Sequence, residues 1–256
     1  MDAVRSGIAG WRKDGYARLG VLLDPELRDA LRARADAIML GEITYPGMFF
    51  QLDSESGRYE DLERGLGWRG PSLRYRKVEK LEKDPLFFRW LTSPVFEALA
   101  REAYPEADRI TIYRAILMTK AEDGGSNLPW HQDGGRLWGL DREPELQAWT
   151  ALDDAPEDGG CLEVVPGSHV NGVAAPLGGL VPDDRVAAAN AEQHVVKLPA
   201  VAGEVILLHN HLWHRSGRAL TGKPRRAFSV SYLDGRTLCT RKKGPKRAFP
   251  VAFKER

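Results

Sequence analysis

The sequence predicts an α+β fold in which N-terminal helices pack on a double-stranded β-helix, the jelly-roll or cupin-like core. Three observations indicate this fold. Helix-start motifs recur within about residues 1–105, short apolar segments separated by turn residues fill about residues 106–235, and a basic tail occupies about residues 236–256. The sequence contains no internal repeat and no low-complexity linker, so we expect one domain over residues 1–256.

Three helices are predicted by start motifs that contain proline. Residues 24–26 (Asp-Pro-Glu) combine an N-cap residue, a proline for the first turn and an acid near the positive end of the helix dipole. Apolar residues then recur at helical spacing over residues 27–38, which gives this helix one buried face. Residues 84–85 (Asp-Pro) and 93–94 (Ser-Pro) open two similar helices. We expect all three helices to be scaffold.

Residues 41–76 lie between these helices and have no steady hydrophobic period. Loops of this length in a compact domain are usually functional or disordered. We interpret the segment as a lid over an active site, with a passive surface loop as the alternative. Its aromatic and polar side chains would suit a small polar or partly cyclic metabolite, and Phe49 and Gln51 are candidate substrate contacts.

Short apolar-rich segments after residue 109 predict strands. They are residues 109–118, 146–152, 161–165, 194–198, 205–209 and 227–233. Clusters of Gly, Pro, Asp and Asn separate them. Several short strands interrupted by turn residues are typical of a closed or two-sheet β structure, here a jelly roll.

The composition excludes several classes of protein. The chain has 37 Lys and Arg against 36 Asp and Glu, a formal net charge of +1, whereas nucleic-acid and anionic-membrane binders need a strong excess of one sign. No apolar run approaches the ~18 residues of a membrane span. Two cysteines, Cys161 and Cys239, cannot make a disulfide framework. We therefore expect a cytoplasmic enzyme with no nucleic-acid or membrane partner, and its oligomeric state stays undetermined.

The tail is the densest run of one charge in the chain. Its basic residues, which face only Glu255, are Arg241, Lys242, Lys243, Lys246, Arg247, Lys254 and Arg256. Such a run is usually a solvated, partly ordered terminus. An entrance for an anionic substrate is the alternative, and nucleic-acid binding is not expected.

His131-Gln132-Asp133 is the first candidate metal motif. On an extended chain, residues i and i+2 point to the same side, so His131 and Asp133 can both face one metal ion. The triplet alone is a weak signal, because many His-x-Asp triplets lie on solvated loops.

Residues 209–214 (His-Asn-His-Leu-Trp-His) are the second candidate motif and follow a predicted strand. Three histidines within six residues are an unusual density, although a lone buried histidine is more often a core residue than a ligand. His209 and His211 share one face by parity, while His214 lies beyond them. The period alone does not choose among the three.

Arg225 is the third candidate and directly precedes a predicted strand. A guanidinium near a metal could bind a carboxylate through two parallel hydrogen bonds, although a surface arginine beside a strand is the commoner case. Two histidines and one aspartate leave three open positions on one face of an octahedral ion, the facial triad of non-haem Fe(II) oxygenases. An arginine one strand further on would hold the far carboxylate of a 2-oxo acid.

The conjunction of motifs, in order along the chain, resembles the phytanoyl-CoA dioxygenase family of Fe(II)/2-oxoglutarate oxygenases over most of residues 1–235. The matching segments are residues 14–16 (DGY), 131–133 (HQD), 149–154 (WTALDD), 158–162 (DGGCL), 165–169 (VPGSH), 203–205 (GEV), 214–217 (HRSG) and 225–227 (RRA). In this family the distal metal ligand is a histidine followed by x-Ser and, eleven residues later, by the oxoglutarate arginine. His214 and Arg225 have this spacing.

The resemblance implies a role for each matching residue. His131, Asp133 and His214 would bind Fe(II), and Arg225 would bind 2-oxoglutarate. Further cosubstrate contacts implied by the resemblance are Trp149, Ser216, Lys77 and Ile116. His209 and His211 would then pack around the site. Arg136 and Trp138, which follow the metal motif, are candidate substrate contacts with a surface-loop role as the alternative.

The retained Asp133 indicates the reaction type. Halogenating relatives replace this carboxylate with a small residue so that chloride can bind the iron, so we expect hydroxylation or a related oxidation of a small-molecule substrate by O2, with release of succinate and CO2. Two other interpretations remain open. One is a non-redox jelly-roll metalloenzyme, such as a cupin isomerase or a zinc hydrolase with His209 or His211 as a third histidine ligand. The other is a binding module on an inactive dioxygenase scaffold.

Overall fold

A computed structural model describes residues 2–65, 67–242 and 246–254. Over these residues the helices are α1 (Asp2–Asp14), α2 (Pro25–Leu40), α3 (Pro85–Leu91), α4 (Pro94–Ala103), α5 (Asp183–Ala188) and α6 (Ala191–His194). The strands are β1 (Tyr16–Val21), β2 (Phe49–Leu52), β3 (Tyr75–Glu79), β4 (Ile110–Lys120), β5 (Leu128–Gln132), β6 (Leu146–Ala151), β7 (Leu162–Val164), β8 (Gly179–Leu180), β9 (Val196–Leu198), β10 (Glu204–His209), β11 (His214–Ser216), β12 (Arg225–Asp234) and β13 (Val251–Phe253).

Two antiparallel sheets form the core, which confirms the predicted α+β jelly roll. The large sheet has the order β1-β10-β6-β12-β4-β3-β2, with β13 added beside β4, and the small sheet has the order β8-β5-β11-β7-β9. Trp149 and Ile206 of the large sheet and Val164 of the small sheet belong to one buried apolar cluster, so the two sheets pack face to face. The functional site lies between them.

The helices α1 to α4 cover the other face of the large sheet. Leu31, Phe87 and Phe96 from these helices share a buried cluster with Phe228 of β12, and the Phe87 and Phe228 ring centroids are 5.0 Å apart. This layer fixes the large sheet from outside and leaves its inner face to the site. Among the described helices, none has the length and apolar character that crossing a bilayer requires.

The predicted helix starts are confirmed at the residues that carried the prediction. The Asp24 carboxylate accepts a hydrogen bond from the Leu27 amide at 2.9 Å. The Asp84 carboxylate caps α3 through the Leu86 and Phe87 amides. Ser93 precedes α4 in an extended conformation, although its hydroxyl makes no capping bond. Proline at the first turn is therefore the shared signal, and two of the three motifs also use the aspartate cap.

The chain before residue 105, predicted as a helical part, also contains three strands, which are β1, β2 and β3. β1 pairs with β10 at one edge of the large sheet. β2 and β3 pair with each other and join the sheet through β4, so residues 41–76 are not a structureless lid. Of the four β2 residues only Phe50 is buried. The short sequence of β2 does not alternate between apolar and polar residues, so it gives no clear signal for a strand.

Most basic residues of the described tail are exposed, as expected for a solvated terminus, and they are Arg241, Lys242, Lys246 and Lys254. Part of the tail nevertheless packs on the large sheet. β13 pairs with the start of β4, at Ile110 and Thr111. The Arg247 guanidinium lies 4.8 Å from the Tyr113 ring centroid and donates to the Tyr113 carbonyl. Three residues of the predicted basic run lie outside the described residues, namely Lys243, Glu255 and Arg256.

Candidate metal centre and adjoining pocket

Antiparallel pairing of two short strands brings two histidines together. In the register of β11 and β5, His214 stands directly opposite His131, and their ring centroids are 3.9 Å apart. Asp133 follows the end of β5. Ligand atoms of His131, Asp133 and His214 all lie within 4.8 Å of one another. Three side chains distant in sequence therefore share a volume that one metal ion could occupy.

Hydrogen bonds fix the tautomer of both imidazoles. The Nδ1 atom of His131 lies 2.9 Å from the Pro129 carbonyl oxygen, and Nδ1 of His214 lies 2.8 Å from the Leu212 carbonyl oxygen. A carbonyl only accepts, so each Nδ1 carries a hydrogen, and Nε2 is the nitrogen left to bind a metal. Two imidazoles with one carboxylate are a donor set that suits a divalent metal such as Fe(II).

The electrostatics keep His131 and Asp133 in the protonation states that bind a metal. Burial, assisted by the neighbouring His214, lowers the pKa of His131 to about 3, so its ring is neutral at ordinary pH. Burial alone would raise the pKa of Asp133, but Arg114 and the two histidines outweigh it and hold this pKa below its usual range. A neutral ring beside an ionised carboxylate needs no deprotonation before it binds a cation.

Two buried amide side chains hold the metal motif in place. Gln132 points away from its neighbours His131 and Asp133 and donates to the carbonyls of Gly172 and His211. The Asn210 side chain donates to the Asp133 carbonyl at 3.1 Å, and the Asn210 carbonyl accepts from the Asp133 amide at 2.8 Å. The i, i+2 alternation thus sends two side chains to the site and one into the supporting loops.

The other two histidines of residues 209–214 lie outside the metal cluster. The His209 ring stacks on Trp11 with centroids 5.4 Å apart, and Nε2 of His211 lies 3.7 Å from a Glu143 carboxylate oxygen. Of the three candidates, His214 is the one in the described cluster. Periodicity alone does not select one of the three histidines. The turn after β10 does, because it places His214 on β11, which pairs with β5.

A cavity opens between the sheets next to the metal cluster. Five residues implied as cosubstrate contacts line its wall, and they are Lys77, Ile116, Trp149, Ser216 and Arg225. The ligand triad comes from the small sheet and its edges, whereas Arg225 and Trp149 come from the large sheet. The cavity therefore joins the predicted metal site to the predicted cosubstrate anchor.

Three buried donors in this wall have no hydrogen-bond partner within the described part of the chain. They are Nε of Arg225, Nε1 of Trp149 and the Thr119 hydroxyl. Burial lowers the pKa of Arg225 to about 10, which leaves the guanidinium charged at neutral pH. A buried cation without a counter-charge is suited to bind a carboxylate.

Lys120 is a second buried cation in the same wall and stands opposite Arg225 in the pairing of β4 with β12. Its ammonium donates to the Ser126 carbonyl at 2.7 Å. Burial, and then the nearby Arg225, lower the pKa of Lys120 well below its usual value. The side chain passes Gly160, where an added Cβ would lie 2.7 Å from Lys120 Cδ. The DGGCL motif thus leaves room for a lysine that points into the cavity.

The predicted contacts from residues 41–79 divide into cavity wall and support. The Lys77 ammonium forms a 2.9 Å ion pair with Glu79 and lies 5.1 Å from the Phe49 ring centroid. The Gln51 side chain accepts from Arg76 at 3.1 Å. Phe49 and Gln51 are not among the described cavity-lining residues. Phe49 contacts Lys77 and Gln51 contacts Arg76, and the prediction that they touch substrate stays a prediction.

The two contacts predicted after the metal motif also lie outside the described cavity wall. Arg136 is exposed on a short 3-10 turn. Trp138 is buried, stacks on Tyr113 with centroids 4.4 Å apart, and lies 4.3 Å from the Arg114 guanidinium carbon. Direct contact of Arg136 or Trp138 with a substrate stays a prediction, and in this structure Trp138 packs against Arg114.

Sequence reasoning missed four cationic residues of the cavity wall, namely Arg76, Arg114, Lys120 and Arg215. Arg114 and Lys120 alternate with apolar residues on β4 and share its inner face with Ile116. A charged residue at the inward parity of an apolar strand is the signal that could have found Arg114. Lys120 lies two residues past the predicted end of its strand, and Arg76 closes a segment that was interpreted as a loop.

Comparison with known proteins identifies the family. The model of the family described as phytanoyl-CoA dioxygenase (PhyH) matches residues 11–227. Phytanoyl-CoA dioxygenase domain-containing protein 1 of Danio rerio is 24% identical over 257 residues, which cover 88% of each chain. The protein of the same name from Bos taurus is 27% identical over 158 residues, which cover 59% of this chain and about half of the relative, 54%.

Solved structures share the fold. EctD from S. alaskensis, crystallised with 2-oxoglutarate and 5-hydroxyectoine, has a TM-score of 0.75 at 21% identity and covers 98% of this chain and 86% of its own. The epimerase SnoN, in complex with Fe3+, alpha ketoglutarate and nogalamycin RO, has a TM-score of 0.74 at 19% identity, with 98% and 99% coverage. The family model spans most of the sequence and includes every residue of the metal cluster. This chain belongs to the phytanoyl-CoA dioxygenase family.

Proposed function

We propose that the protein is an Fe(II)- and 2-oxoglutarate-dependent dioxygenase that oxidises an unactivated C–H bond of a small-molecule metabolite and releases succinate and CO2. One observation carries the proposal. The His131, Asp133 and His214 cluster and the unpartnered donors of Arg225 and Trp149 line the same cavity between the two sheets. A 2-oxo acid that chelates the metal needs free coordination positions on the ion and a cationic side chain that binds its far carboxylate.

In this proposal each residue has a defined task. His131, Asp133 and His214 hold the iron on one face. When bound, the iron and 2-oxoglutarate supply O2 activation and the oxidising power for the C–H bond. Arg225, from the opposite sheet, binds the far carboxylate of 2-oxoglutarate, and the Ser216 hydroxyl lies in the same wall. Because the two sheets are packed as one core, the distance between metal and anchor is fixed before any ligand binds.

Lys120 strengthens the anchor proposed for Arg225. The two cations face each other across neighbouring strands, and each is 4–5% exposed. A carboxylate has two oxygens and about four lone pairs, so it can accept from both groups. Charge-assisted hydrogen bonds of this kind contribute roughly 1.5–3 kcal/mol each.

Exclusion of water falls to the apolar part of the wall and to the former lid segment. Ile116, Leu162 and Leu208 line the cavity between the sheets. Tyr59 from residues 41–76 also lines it, and its amide is held by Asn127 at 3.0 Å. A low-dielectric wall strengthens the ion pairs inside the cavity and limits side reactions with water.

We propose hydroxylation, or a related oxidation, and not halogenation. Asp133 supplies a carboxylate where chloride would otherwise take a coordination position. SnoN is named an epimerase and SnoK a carbocyclase, so this fold also accommodates reactions other than hydroxylation. Product analysis in the presence of chloride, by mass spectrometry, separates a hydroxylated from a chlorinated product.

Succinate formation tests the reaction class. Wild type, His131→Ala and Asp133→Ala are incubated in air with ferrous iron and 2-oxoglutarate, and succinate is measured by NMR. We expect slow turnover by wild type and background values for both variants, because each loses a metal ligand. His211→Ala is the matched control, since its ring lies outside the described cluster. Equal turnover by all four proteins would eliminate the assigned ligands.

A binding measurement separates the proposal from the non-redox alternatives. Under anaerobic conditions 2-oxoglutarate should add a visible charge-transfer band to the Fe(II) protein, and Arg225→Ala should need far more 2-oxoglutarate to show it. A zinc hydrolase or a cupin isomerase has no reason to bind 2-oxoglutarate at the metal. Absence of the band in wild type at saturating cosubstrate would reject the dioxygenase proposal.

A further inference from the structure

The cavity wall carries more positive charge than the proposed cosubstrate can neutralise. Six cationic residues line it, against the single carboxylate of Asp133, and they are Arg76, Lys77, Arg114, Lys120, Arg215 and Arg225. Three of them have an acidic partner. Lys77 pairs with Glu79 at 2.9 Å, Arg114 with Asp133 at 2.7 Å and Arg215 with Glu163 at 2.7 Å. Arg76, Lys120 and Arg225 have no carboxylate within 4.0 Å among the residues that the structure describes.

The proposed cosubstrate can neutralise one of these three charges. Its near carboxylate would bind Fe(II) together with Asp133. Its far carboxylate would be bound by Arg225 and Lys120, which face each other on neighbouring strands. Arg76 lies on β3, between β4 and β2, two strands away from Arg225 and next to the strand of Lys120, and it is only partly buried. It is left as a cation without an anion.

Arg76 is oriented by its neighbours without being neutralised by them. One of its Nη atoms donates to Gln51 at 3.1 Å, and its guanidinium lies 5.7 Å from the Tyr59 ring centroid. Asp53, the acid with the largest influence on it, is already bound by the Ser54 amide at 3.0 Å and by the Ser126 amide at 2.9 Å. A guanidinium has five N–H donors, so most of those on Arg76 stay free.

Burial without a counter-charge is unfavourable for Arg76, and its pKa is lowered accordingly. An oxyanion beside the guanidinium would remove this cost and fill the free donors. Arginine matches planar carboxylates and phosphates through two parallel hydrogen bonds. The Tyr59 ring, also in the wall, offers an apolar surface next to that position.

We propose that the substrate is an anion whose carboxylate or phosphate group is bound by Arg76, with carbon atoms beside that group packed on Tyr59. This inference rests on the proposed function, because it assigns to the substrate a cation that the one far carboxylate of 2-oxoglutarate does not neutralise. It selects acidic metabolites over neutral ones of the same shape. Residues 41–76, interpreted from sequence as a lid, then end in the residue that sets substrate charge.

Binding of matched anionic and neutral probes tests the inference. The protein is loaded with Mn(II) and saturating 2-oxoglutarate, and the probes are benzoate, phenyl phosphate and the neutral benzamide. Affinities are taken from the rise in melting temperature with probe concentration. We expect wild type to bind at least one anion more than about 10-fold tighter than benzamide, and Arg76→Gln to lose this preference. The anion that binds distinguishes a carboxylate from a phosphate substrate.

Arg58→Gln is the control variant, because Arg58 belongs to the same segment and its side chain is 68% exposed beside Glu60. It should bind the anions as wild type does. Equal binding of benzamide and both anions by wild type, or no binding of either anion, would overturn the inference. So would an Arg76→Gln variant, shown by circular dichroism to be folded, that binds the anions normally.

Binding of 2-oxoglutarate itself, measured separately by calorimetry, keeps the two proposals apart. We expect Arg76→Gln to retain wild-type affinity for it. A loss of more than about 10-fold would assign Arg76 to the cosubstrate and reject an anionic substrate, while the dioxygenase proposal would stand. Failure of wild type to bind 2-oxoglutarate would reject the proposed function whatever the probes do.

Discussion

Arg114 and Asp133 form an ion pair in which the two carboxylate oxygens have different neighbours. Nη2 of Arg114 donates to Oδ1 of Asp133 at 2.7 Å, while Oδ2 lies 3.8 Å from Nε2 of His214. The guanidinium is itself held against the face of Trp138. One oxygen is thus occupied by an arginine, and the other is directed to the proposed metal position. This arrangement favours binding of the metal through a single oxygen.

Arg114→Gln should weaken metal binding without abolishing it. Residues that orient a ligand typically contribute about 10–100-fold to metal affinity, and we expect a loss in that range. Titration with Mn(II), followed by electron paramagnetic resonance, measures it. Arg142→Gln is the control, since Arg142 is half exposed and pairs with Asp234 at 3.5 Å. Unchanged Mn(II) affinity in Arg114→Gln would show that Asp133 needs no such orientation.

Lys120→Met should have opposite effects on stability and on cosubstrate binding. Replacing a buried, unpaired ammonium with an apolar side chain of similar length should raise the unfolding free energy of the ligand-free protein by about 1–3 kcal/mol. The same change should weaken 2-oxoglutarate binding by roughly 10–100-fold, because one charged donor is lost. Thermal melts and calorimetry measure the two effects. Lys197→Met, at an exposed ion pair, should change neither quantity.

The pH dependence offers an independent check on Lys120. Its pKa is lowered in the folded protein, so between the two pKa values the unfolded chain binds the proton that the folded chain lacks. Stability should therefore rise as the pH approaches 10.5, the value for the unfolded residue. Lys120→Met should lose this rise. A variant with the same alkaline profile as wild type would contradict the assigned burial.

Asp84 and Asp24 allow the same substitution to be compared at a buried and at an exposed helix cap. Both aspartates cap a helix before a proline, but Asp84 is fully buried and also accepts from Arg34 at 2.7 Å and from the Tyr45 hydroxyl at 2.8 Å. We expect Asp84→Ala to cost roughly 3–5 kcal/mol, since it leaves buried partners without an acceptor. Asp24→Ala should cost about 1 kcal/mol, the usual value of a cap. Urea unfolding of both variants provides the comparison.

His209 should make the fold sensitive to acid. Burial and the nearby ring of His169, with centroids 4.8 Å apart, lower the pKa of His209 to about 3 from 6.5. The unfolded chain binds a proton there that the folded one does not, so stability is lost as the pH falls from 6.5 towards about 3.

His209→Phe keeps an aromatic ring against Trp11 and should remove part of this loss, up to about 2 kcal/mol between pH 6.5 and about pH 4.5. Chemical unfolding at both pH values measures the difference. The exposed His194, changed to Gln, is the reference. A phenylalanine variant as acid-sensitive as wild type would mean that His209 is protonated without cost in the folded state.

The parts of the fold that could be predicted are those with local signals. Proline and aspartate at a helix start act within one turn, so α2 and α3 were visible from residues 24–26 and 84–85. Buried strands such as β10 and β12 are apolar runs in any context. β2 was missed because its pairing with β3 joins residues about 25 apart and its own side chains are only partly buried. α1 carries a weaker signal, with Ile8 and Trp11 buried at helical spacing but no capping motif.

The metal cluster was predictable in part because its first two members are neighbours. His131 and Asp133 follow from the two-residue period of a strand. Periodicity could not choose His214 over His209, because the choice depends on which strand lies beside β5. Arg114 carried a local signal, a charge at the inward parity of an apolar strand, whereas the position of Lys120 beside Arg225 depends on cross-strand register, which no local pattern contains. The resemblance to the family supplied what the spacing could not.

The close contact between Gly160 and Lys120 links two positions that lie 40 residues apart. A methyl group at residue 160 would occupy the path of the lysine stem, and the backbone there has a φ of 72°, which disfavours any side chain. An enlargement at 160 would therefore displace the ammonium from the anchor even though the charge itself is unaltered. Engineering of this pocket for a bulkier or uncharged cosubstrate should therefore change Gly160 and Lys120 together.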